Sequence, residues 1–382
     1  MPLMLLLWFG FLLLAVAGIP YALYLVAYRL VSPTGSPAAK TDVVEPVSIV
    51  LPTYNEAAII EDALEQLCSL AYPAESIEFV IVDSSDDETA TLVREFFAEG
   101  NRPAVTLIEE DDRGGVARAV NRGIEAANHD VIFRTDCDSR LHEDAISHAV
   151  SNLADPAVGG VTGRQIDVLG DSEVEESYRD LQAQNQALES HLDSTFIVHG
   201  PCFAFRKEYF EPIAGDSLAD DTEIAVAVRK AGKRVIMDPA MQFTEASVSN
   251  IRGRRARKDR RAMGLLQLLD RNRDLLGRHG WYGRLVLPVN WWFLAISPWL
   301  SIGGAALVFL GLLTTVPLIG IAGVVAFIGF VLLGHRDLLG PFQAPYAVFD
   351  AHLSLVIARV RLWREDSDGT WAIDSDSREL LK

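Results

Sequence analysis

Asp130-Val131-Ile132-Phe133-Arg134-Thr135-Asp136-Cys137-Asp138 is an apolar, strand-like run that ends in two carboxylates two residues apart. On a strand, residues two apart point the same way. Hard divalent cations take oxygen ligands of this kind, and such cations commonly bridge nucleotide phosphates. The carboxyl edge of an open α/β sheet is also where nucleotides bind. An isolated Asp-x-Asp is equally ordinary turn chemistry, so the surrounding blocks decide its meaning.

Working outward, strand and helix signals alternate. Strands are expected at 47–51, 78–82, 104–108 and 130–135, with helices at 56–70, 87–99, 114–127 and 142–153. This alternation predicts βαβ units and a mainly parallel sheet with helices on both faces. Strands near 158–167, a helix at 173–191, a strand near 202–206, a helix at 221–231 and a strand at 234–237 follow. The first strand ends in Pro52-Thr53-Tyr54-Asn55-Glu56 and the second in Asp83-Ser84-Ser85-Asp86-Asp87, and Gly114-Gly115 opens the third helix. Three strands thus deliver polar residues at their carboxyl ends, where the crevice of an open sheet lies. Each block also has a bland reading: a turn at 52–55, a helix cap at Asp83–Asp87, and a helix cap at Asp220 or Asp221.

The chain combines 49% hydrophobic residues with a formal net charge of −18, and its mean hydropathy is +0.18. These values are compatible because the two classes are segregated: residues 3–28 and 285–334 carry no charged side chain. Residues 1–30 are expected to form a transmembrane helix rather than a signal peptide, because no basic start precedes a run of spanning length. The Pro- and Ser-rich residues 31–46 read as a linker, 47–280 as the soluble domain, and 363–382 as a polar tail. Within 281–362, residues 285–312 and 316–334 read as spans. Residues 343–362 are apolar but broken by Asp350, His352, Arg359 and Arg361, and read as an interfacial or third helix. Arg29 follows the first span, which predicts a multi-pass protein of the cell membrane with its soluble domain in the cytosol. The three cysteines (68, 137 and 202) lack metal or disulfide spacing, in keeping with a reducing compartment. Only six of 34 basic residues are lysines; an acidic, lysine-poor surface suggests a halophilic host. Seven basic residues crowd 252–261. The acidic balance, and the position of this stretch just before a span, argue against nucleic acid and for membrane topology or phosphate binding.

The order of these blocks over roughly residues 46–265 resembles the inverting glycosyltransferases of family 2, with their GT-A fold. That resemblance implies roles. Pro52, Thr53, Tyr54 and Glu56 would cradle the nucleotide base and ribose, and Asp83 would bond the base. Asp136 and Asp138 would hold the ribose and a diphosphate-bound Mg²⁺ or Mn²⁺. Asp221, preceded by Asp220 where the family usually has glutamate, would be the general base. Gly200, in His199-Gly200-Pro201-Cys202, would lie beside the acceptor. Membrane-bound members often carry Gln-x-x-Arg-Trp; here the corresponding residues are Arg257-x-x-Arg260-Arg261, which suit diphosphate binding but lack the stacking tryptophan of processive synthases. Val116 stands where many relatives have lysine, and Arg113 or Arg118 would substitute. The resemblance therefore implies a metal-dependent transfer from a nucleotide-sugar donor to a lipid-linked acceptor such as a dolichyl or polyprenyl phosphate, in glycoprotein or surface-glycan assembly. A processive polysaccharide synthase and a catalytically silent scaffold of the same fold are the alternatives.

Overall fold

The computed structural model describes residues 2–364 apart from 101, 170–172, 247–250 and 337. The tail expected over 363–382 lies almost wholly outside the described residues. Helix α1 (Pro2–Val31) leads into an extended segment and strand β1 (Val47–Thr53). There follow α2 (Ile60–Cys68), β2 (Ile77–Asp83), α3 (Thr89–Ala98), β3 (Ala104–Glu109), α4 (Val116–Ala126), β4 (Val131–Arg134), β5 (Ser139–Leu141) and α5 (Ala145–Leu153). The second half holds β6 (Val158–Leu169), α6 (Glu173–Leu192), β7 (Phe203–Arg206), α7 (Asp220–Lys230), β8 (Arg234–Ala246) and α8 (Ile251–Arg271).

The strands form one sheet in the order β3-β2-β1-β4-β7-β6-β8-β5. β1 and β2 are buried almost end to end, as expected of parallel strands covered on both faces. Because side chains alternate along a strand, Ile49, Leu51, Phe79, Ile81 and Phe133 pack on one face against α2, α3 and α5. Val50, Val80 and Ile132 pack on the other against α4 and α7. A Cβ at Gly123 would lie 2.6 Å from Val50 Cγ1, so this glycine lets α4 approach β1 closely.

The sheet is mainly parallel, as expected, and takes in antiparallel pairs beyond β4. The β3-β2-β1-β4 half is parallel, but β7 pairs antiparallel with both β4 and β6, and β5 pairs antiparallel with β8. The strands expected near 158–167 are one long strand, and β8 runs well past 237. β6 and β8 slip register between Gly163 and Arg164 and again between Gln165 and Asp167. Such irregularities bend a sheet. The bend brings Glu245 opposite Ser139, only one residue beyond Asp138.

Three helices are long and apolar enough to cross a membrane: Met4–Val31, Tyr282–Thr315 and Pro317–Gly334. The first two pack antiparallel through small residues. A Cβ on Gly304 would lie 2.9 Å from the Gly10 carbonyl, and one on Gly311 would lie 2.7 Å from Leu7 side-chain carbons. Small residues at such positions allow close helix packing in a bilayer. The outward-facing Leu5, Trp8, Phe9 and Leu12 remain exposed, as a lipid-facing surface would be. Below this pair, buried Glu189 of α6 accepts hydrogen bonds from Tyr24 Oη (3.2 Å), Asn290 Nδ2 (2.6 Å) and the Phe196 amide (2.7 Å). Burial raises its pKa. One carboxyl group therefore joins both long apolar helices to the soluble domain.

The helix Gln343–Leu362 packs on α8, with Leu355 and Ala358 against Ala262 and Leu266. The charges that break its apolar pattern are paired. Asp350 meets Arg255 (2.5 Å) and Lys258 (3.3 Å), Arg361 meets Asp259 (3.3 Å), and Arg359 meets Asp270.

Candidate active site

Thr53 and Asp83 are register partners at the ends of β1 and β2, and their side chains are joined. Asp83 is buried, and its Oδ1 accepts hydrogen bonds from Thr53 Oγ1 (2.5 Å) and Ser85 Oγ (2.6 Å). Ser85 Oγ accepts in turn from the Asn55 amide (2.7 Å). Asn55 adopts φ +55°, a left-handed conformation that asparagine tolerates better than most residues. Its amide side chain exchanges hydrogen bonds with Asp86, and Thr89 Oγ1 accepts from the Glu56 amide (2.9 Å). The two loops therefore form one rigid rim. The Arg113 guanidinium stacks 4.0 Å from the Tyr54 ring centre. Arg118 is exposed and lies over Gly114. Of the two arginines proposed for the missing lysine, Arg113 is the one held against the first-strand motif.

The Asp-x-Asp turn begins where β4 ends. Cys137 is buried in the core, so the aspartates on either side turn outward; Asp136 keeps 29% of its side chain exposed. Arg134 lies two residues before Asp136, on the same strand face. It is only 5% exposed. Its Nη1 donates to Asp136 Oδ2 (3.1 Å), and its Nη2 meets Asp220 Oδ2 (3.2 Å). One buried guanidinium thus couples the end of β4 to the first turn of α7. Burial pushes the Asp136 pKa up to about 7, against the opposing pull of Arg134. Thr135 Oγ1 and Ser139 Oγ, buried on either side of the pair, meet no hydrogen-bond partner.

Asp221 faces the loop that precedes β7. Its Oδ2 accepts from the Gly200 amide (2.8 Å), and its Oδ1 accepts from the amide and hydroxyl of Thr222 (2.6 and 3.1 Å). Burial first, and then the charge of Asp220, raises its pKa. A carboxylate raised in this way is a stronger proton acceptor while it remains ionised. Gly200 sits against Arg134: a Cβ there would lie 1.7 Å from Nη1. His199 Nε2 lies 3.3 Å from Gln186 Oε1, which can only accept a hydrogen bond from the ring. Burial drives its pKa down to about 3 and so disfavours the charged ring.

Beyond the turn, Glu245 accepts from Gln165 Nε2 (2.8 Å) and faces Arg261 Nη2 (3.9 Å). This contact brings Arg261 of α8 to the Asp138 side of the crevice. Arg260 is half-buried on the same helix, and the Arg257 side chain lies outside the described residues.

Sequence reasoning missed Arg134 and Glu245. Arg134 had a visible signal: a cation in an otherwise apolar strand, two positions before an acid. Glu245 had none, because its placement depends on the bend in β6 and β8. A cleft of about 480 Å³ lies elsewhere, at the far end of α7. The strand-end crevice is the site its polar chemistry marks, and the cleft is separate from it.

The family model described as "Glycosyl transferase family 2" matches residues 48–213, and that described as "Glycosyl transferase family group 2" matches residues 131–333. Among solved structures, the chain is similar to the mannosyltransferase PcManGT of Pyrobaculum calidifontis, solved in complex with GDP-Man and Mn²⁺. The two are 28% identical, with a TM-score of 0.79 over 94% of this chain and 100% of that one. This likeness makes the fold GT-A. The chain is 26% identical over 218 residues to the probable glycosyltransferase YdaM of Bacillus subtilis (strain 168), covering 51% of this chain and 49% of that protein. It is 33% identical over 128 residues to the poly-beta-1,6-N-acetyl-D-glucosamine synthase of Staphylococcus aureus (strain COL), covering 33% and 30% respectively. The chain therefore spans about half the length of the first of these curated relatives and less than a third of the second.

Proposed function

The chain belongs to the family 2 glycosyl transferases, and on that premise we propose that it moves one sugar from a nucleotide-sugar to a lipid-linked acceptor, inverting the anomeric centre. The observation that carries this reading is the Arg134 bridge, which holds Asp136 and the Asp220–Asp221 pair around one crevice.

In this reading the loops after β1 and β2 hold the nucleoside, with Asp83 fixing Thr53 and Ser85, and Tyr54 backed by Arg113. Asp221 takes the proton of the acceptor hydroxyl as its oxygen bonds to the anomeric carbon, and the nucleoside diphosphate leaves from the opposite side. The Gly200 amide and Thr222 orient that carboxylate. Arg134 keeps Asp220 and Asp136 paired, so that four neighbouring acids do not repel one another apart.

The donor set fits a divalent cation shared with the substrate. Asp136 and Asp138 supply two carboxylates, and among the described residues no cluster of three or more His, Cys, Asp or Glu could hold a metal alone. Mg²⁺ and Mn²⁺ bind through one or two carboxylates and complete their shells with phosphate oxygens and water. When bound, such an ion supplies charge neutralisation to the departing diphosphate. Arg260 and Arg261 face the same diphosphate from α8.

A membrane acceptor is favoured by the three membrane-capable helices and by the arginines that precede the Tyr282–Thr315 helix. The basic residues beside the spans favour a cytosolic soluble domain. GDP-mannose with Mn²⁺, the pair held by PcManGT, is the first donor to try. The local identity to a polysaccharide synthase favours a processive reading, whereas Arg261 in place of a stacking tryptophan opposes it. Membranes containing the protein, incubated with radiolabelled nucleotide-sugars and extracted into organic solvent, test the proposal. Label in a lipid of one added sugar supports it; label in a long water-soluble polymer refutes it.

A further inference from the structure

The cleft of about 480 Å³ lies where three turns meet: the end of α6, the turn from α7 into β8, and the turn into the Tyr282–Thr315 helix. α7 spans 11 residues, so its length, ~16 Å at 1.5 Å per residue, separates this cleft from Asp220 and Asp221. The transfer reading assigns it nothing.

Its walls carry Arg229, Lys233 and Arg234, with Asp193 as the one carboxylate and His191 and His279 as the neighbouring titratable groups. Glu189 and Asp193 favour the charged form of Arg229 from a distance, without an ion pair, and Asp193 is committed elsewhere. Its carboxylate accepts from the Tyr282 amide (3.0 Å) and Ser194 Oγ (3.0 Å). The three cations rest on neutral oxygens instead. Arg229 donates to the Thr195 carbonyl and lies over the Tyr282 ring. Arg234 donates to the carbonyls of Asp193 (2.8 Å) and Ser190 (2.6 Å), and Lys233 to that of Pro156 (2.8 Å). Among the described residues no carboxylate forms an ion pair with any of the three.

Basic residues in the last turn of a helix are ordinary, because they complement its dipole. That explanation does not extend to Arg234, which lies on β8, or to the burial of Arg229. Arg229 is 2% exposed, and its Nε meets no hydrogen-bond partner. A buried donor of a cation left unmet is costly, and desolvation lowers the Arg229 pKa. An anion in the cleft would relieve both costs. The volume is within the range of small-ligand sites. The level is also distinctive: Trp281, next to lining residue Tyr282, is 63% exposed, and antiparallel packing places the exposed end of α1 at the same height. Exposed tryptophan at the start of a span marks the headgroup layer.

We propose that this cleft is a second anion site, distinct from the crevice, that takes a phosphate-bearing group: a phosphorylated lipid headgroup or a soluble phosphate. The test uses the full chain in detergent with EDTA present, so that metal-dependent phosphate binding at Asp136 and Asp138 does not contribute. Thermal unfolding is followed against inorganic phosphate, with chloride at matched ionic strength as control. Retention of phosphatidic acid over phosphatidylcholine is read by native mass spectrometry. Both are repeated in Lys233→Gln and Lys233→Glu; the side chain is half-exposed and meets only the Pro156 carbonyl and, at 5.5 Å, the Tyr209 ring, so at least the neutral variant should fold. A rise in Tm with phosphate identifies a soluble ligand, and selective retention of phosphatidic acid without that rise identifies a lipid headgroup. In either case Lys233→Glu weakens binding about tenfold, and Lys233→Gln by less. Absence of both effects, or equal binding in wild type and both variants, overturns the proposal.

Discussion

Replacing Gly200 with alanine tests the link between the Asp-x-Asp strand and the candidate base. Gly200 does not adopt positive φ, so the substitution carries no left-handed backbone penalty; the objection is steric. The new Cβ would lie 1.7 Å from Arg134 Nη1 and 2.5 Å from its Cζ, roughly half and two-thirds of a comfortable ~3.5 Å contact. Arg134 cannot swing away into solvent: it is buried, and both terminal nitrogens face carboxylates. If the guanidinium is displaced, overpacking costs about 1–3 kcal/mol. If the loop moves instead, the hydrogen bond from the Gly200 amide to Asp221 breaks, worth about 1.5–3 kcal/mol for a charged acceptor. A loss of about 1–3 kcal/mol by either route lowers Tm by roughly 1–4 °C in a chain of this size. Absorbed locally instead, the misplacement lowers the transfer rate by about 10²-fold with nucleotide binding retained. Thermal unfolding and a single-turnover transfer assay read the two outcomes. The decisive comparison is a double-mutant cycle with Arg134→Lys, which keeps the charge but removes the planar head that the Cβ would strike. In that background Gly200→Ala costs less than about 1 kcal/mol. Equal cost in both backgrounds, or a wild-type Tm and rate for the single variant, refutes the steric account.

Asp221→Asn abolishes transfer while leaving nucleotide affinity within about twofold; transfer at the wild-type rate would remove Asp221 from the mechanism. Asp138→Ala, or EDTA added to wild type, weakens nucleoside diphosphate binding by about tenfold or more, measured by titration with and without Mn²⁺. Glu45 tests a pH dependence. Hydrogen bonds from Arg206 (2.5 and 2.9 Å) hold its carboxyl below the usual glutamate range. A depressed folded pKa stabilises the native state above the unfolded value of about 4.3 and loses that contribution as pH falls through the folded pKa. Glu45→Gln therefore lowers Tm at pH 7 and narrows its gap from wild type as the buffer is acidified; a gap independent of pH refutes the assignment.

Local signals were enough for the half of the fold that is built locally. β1 to β4 alternate with helices at short range, and Asp83 and Asp136 announce their strand ends by being acids after apolar runs. The other half depends on pairings that no local window contains. β7 enters beside β4 only after some seventy residues of intervening chain, and β5, at three residues, is too short for any periodicity. β8 contains Pro239, which reads as a stop, yet the strand continues to Ala246. The Gln343–Leu362 helix looked interfacial because its charges interrupt an apolar face; those charges are satisfied by α8, which sequence spacing does not disclose. In the candidate site, the residues proposed to meet ligand were visible through type and motif. Residues that hold others in place, such as Arg134, Glu245 and Glu189, were not, because their meaning depends on partners distant in the chain.

The antiparallel pairing of α1 with the Tyr282–Thr315 helix also sets an order of events during synthesis. Ser297 Oγ donates to the Ala17 carbonyl across 280 residues of sequence. At a translation rate of ~5–20 residues per second, the first helix waits roughly 15–60 seconds for its partner. During that interval its glycine-lined stripe has no Tyr282–Thr315 helix to pack against, and Tyr24 has no Glu189 to bond until the soluble domain has folded beneath it. The ribosome therefore delivers the molecule as a bracket left open at one side, with the catalytic domain maturing inside it. The Tyr282–Thr315 helix closes the bracket when Asn290 reaches Glu189.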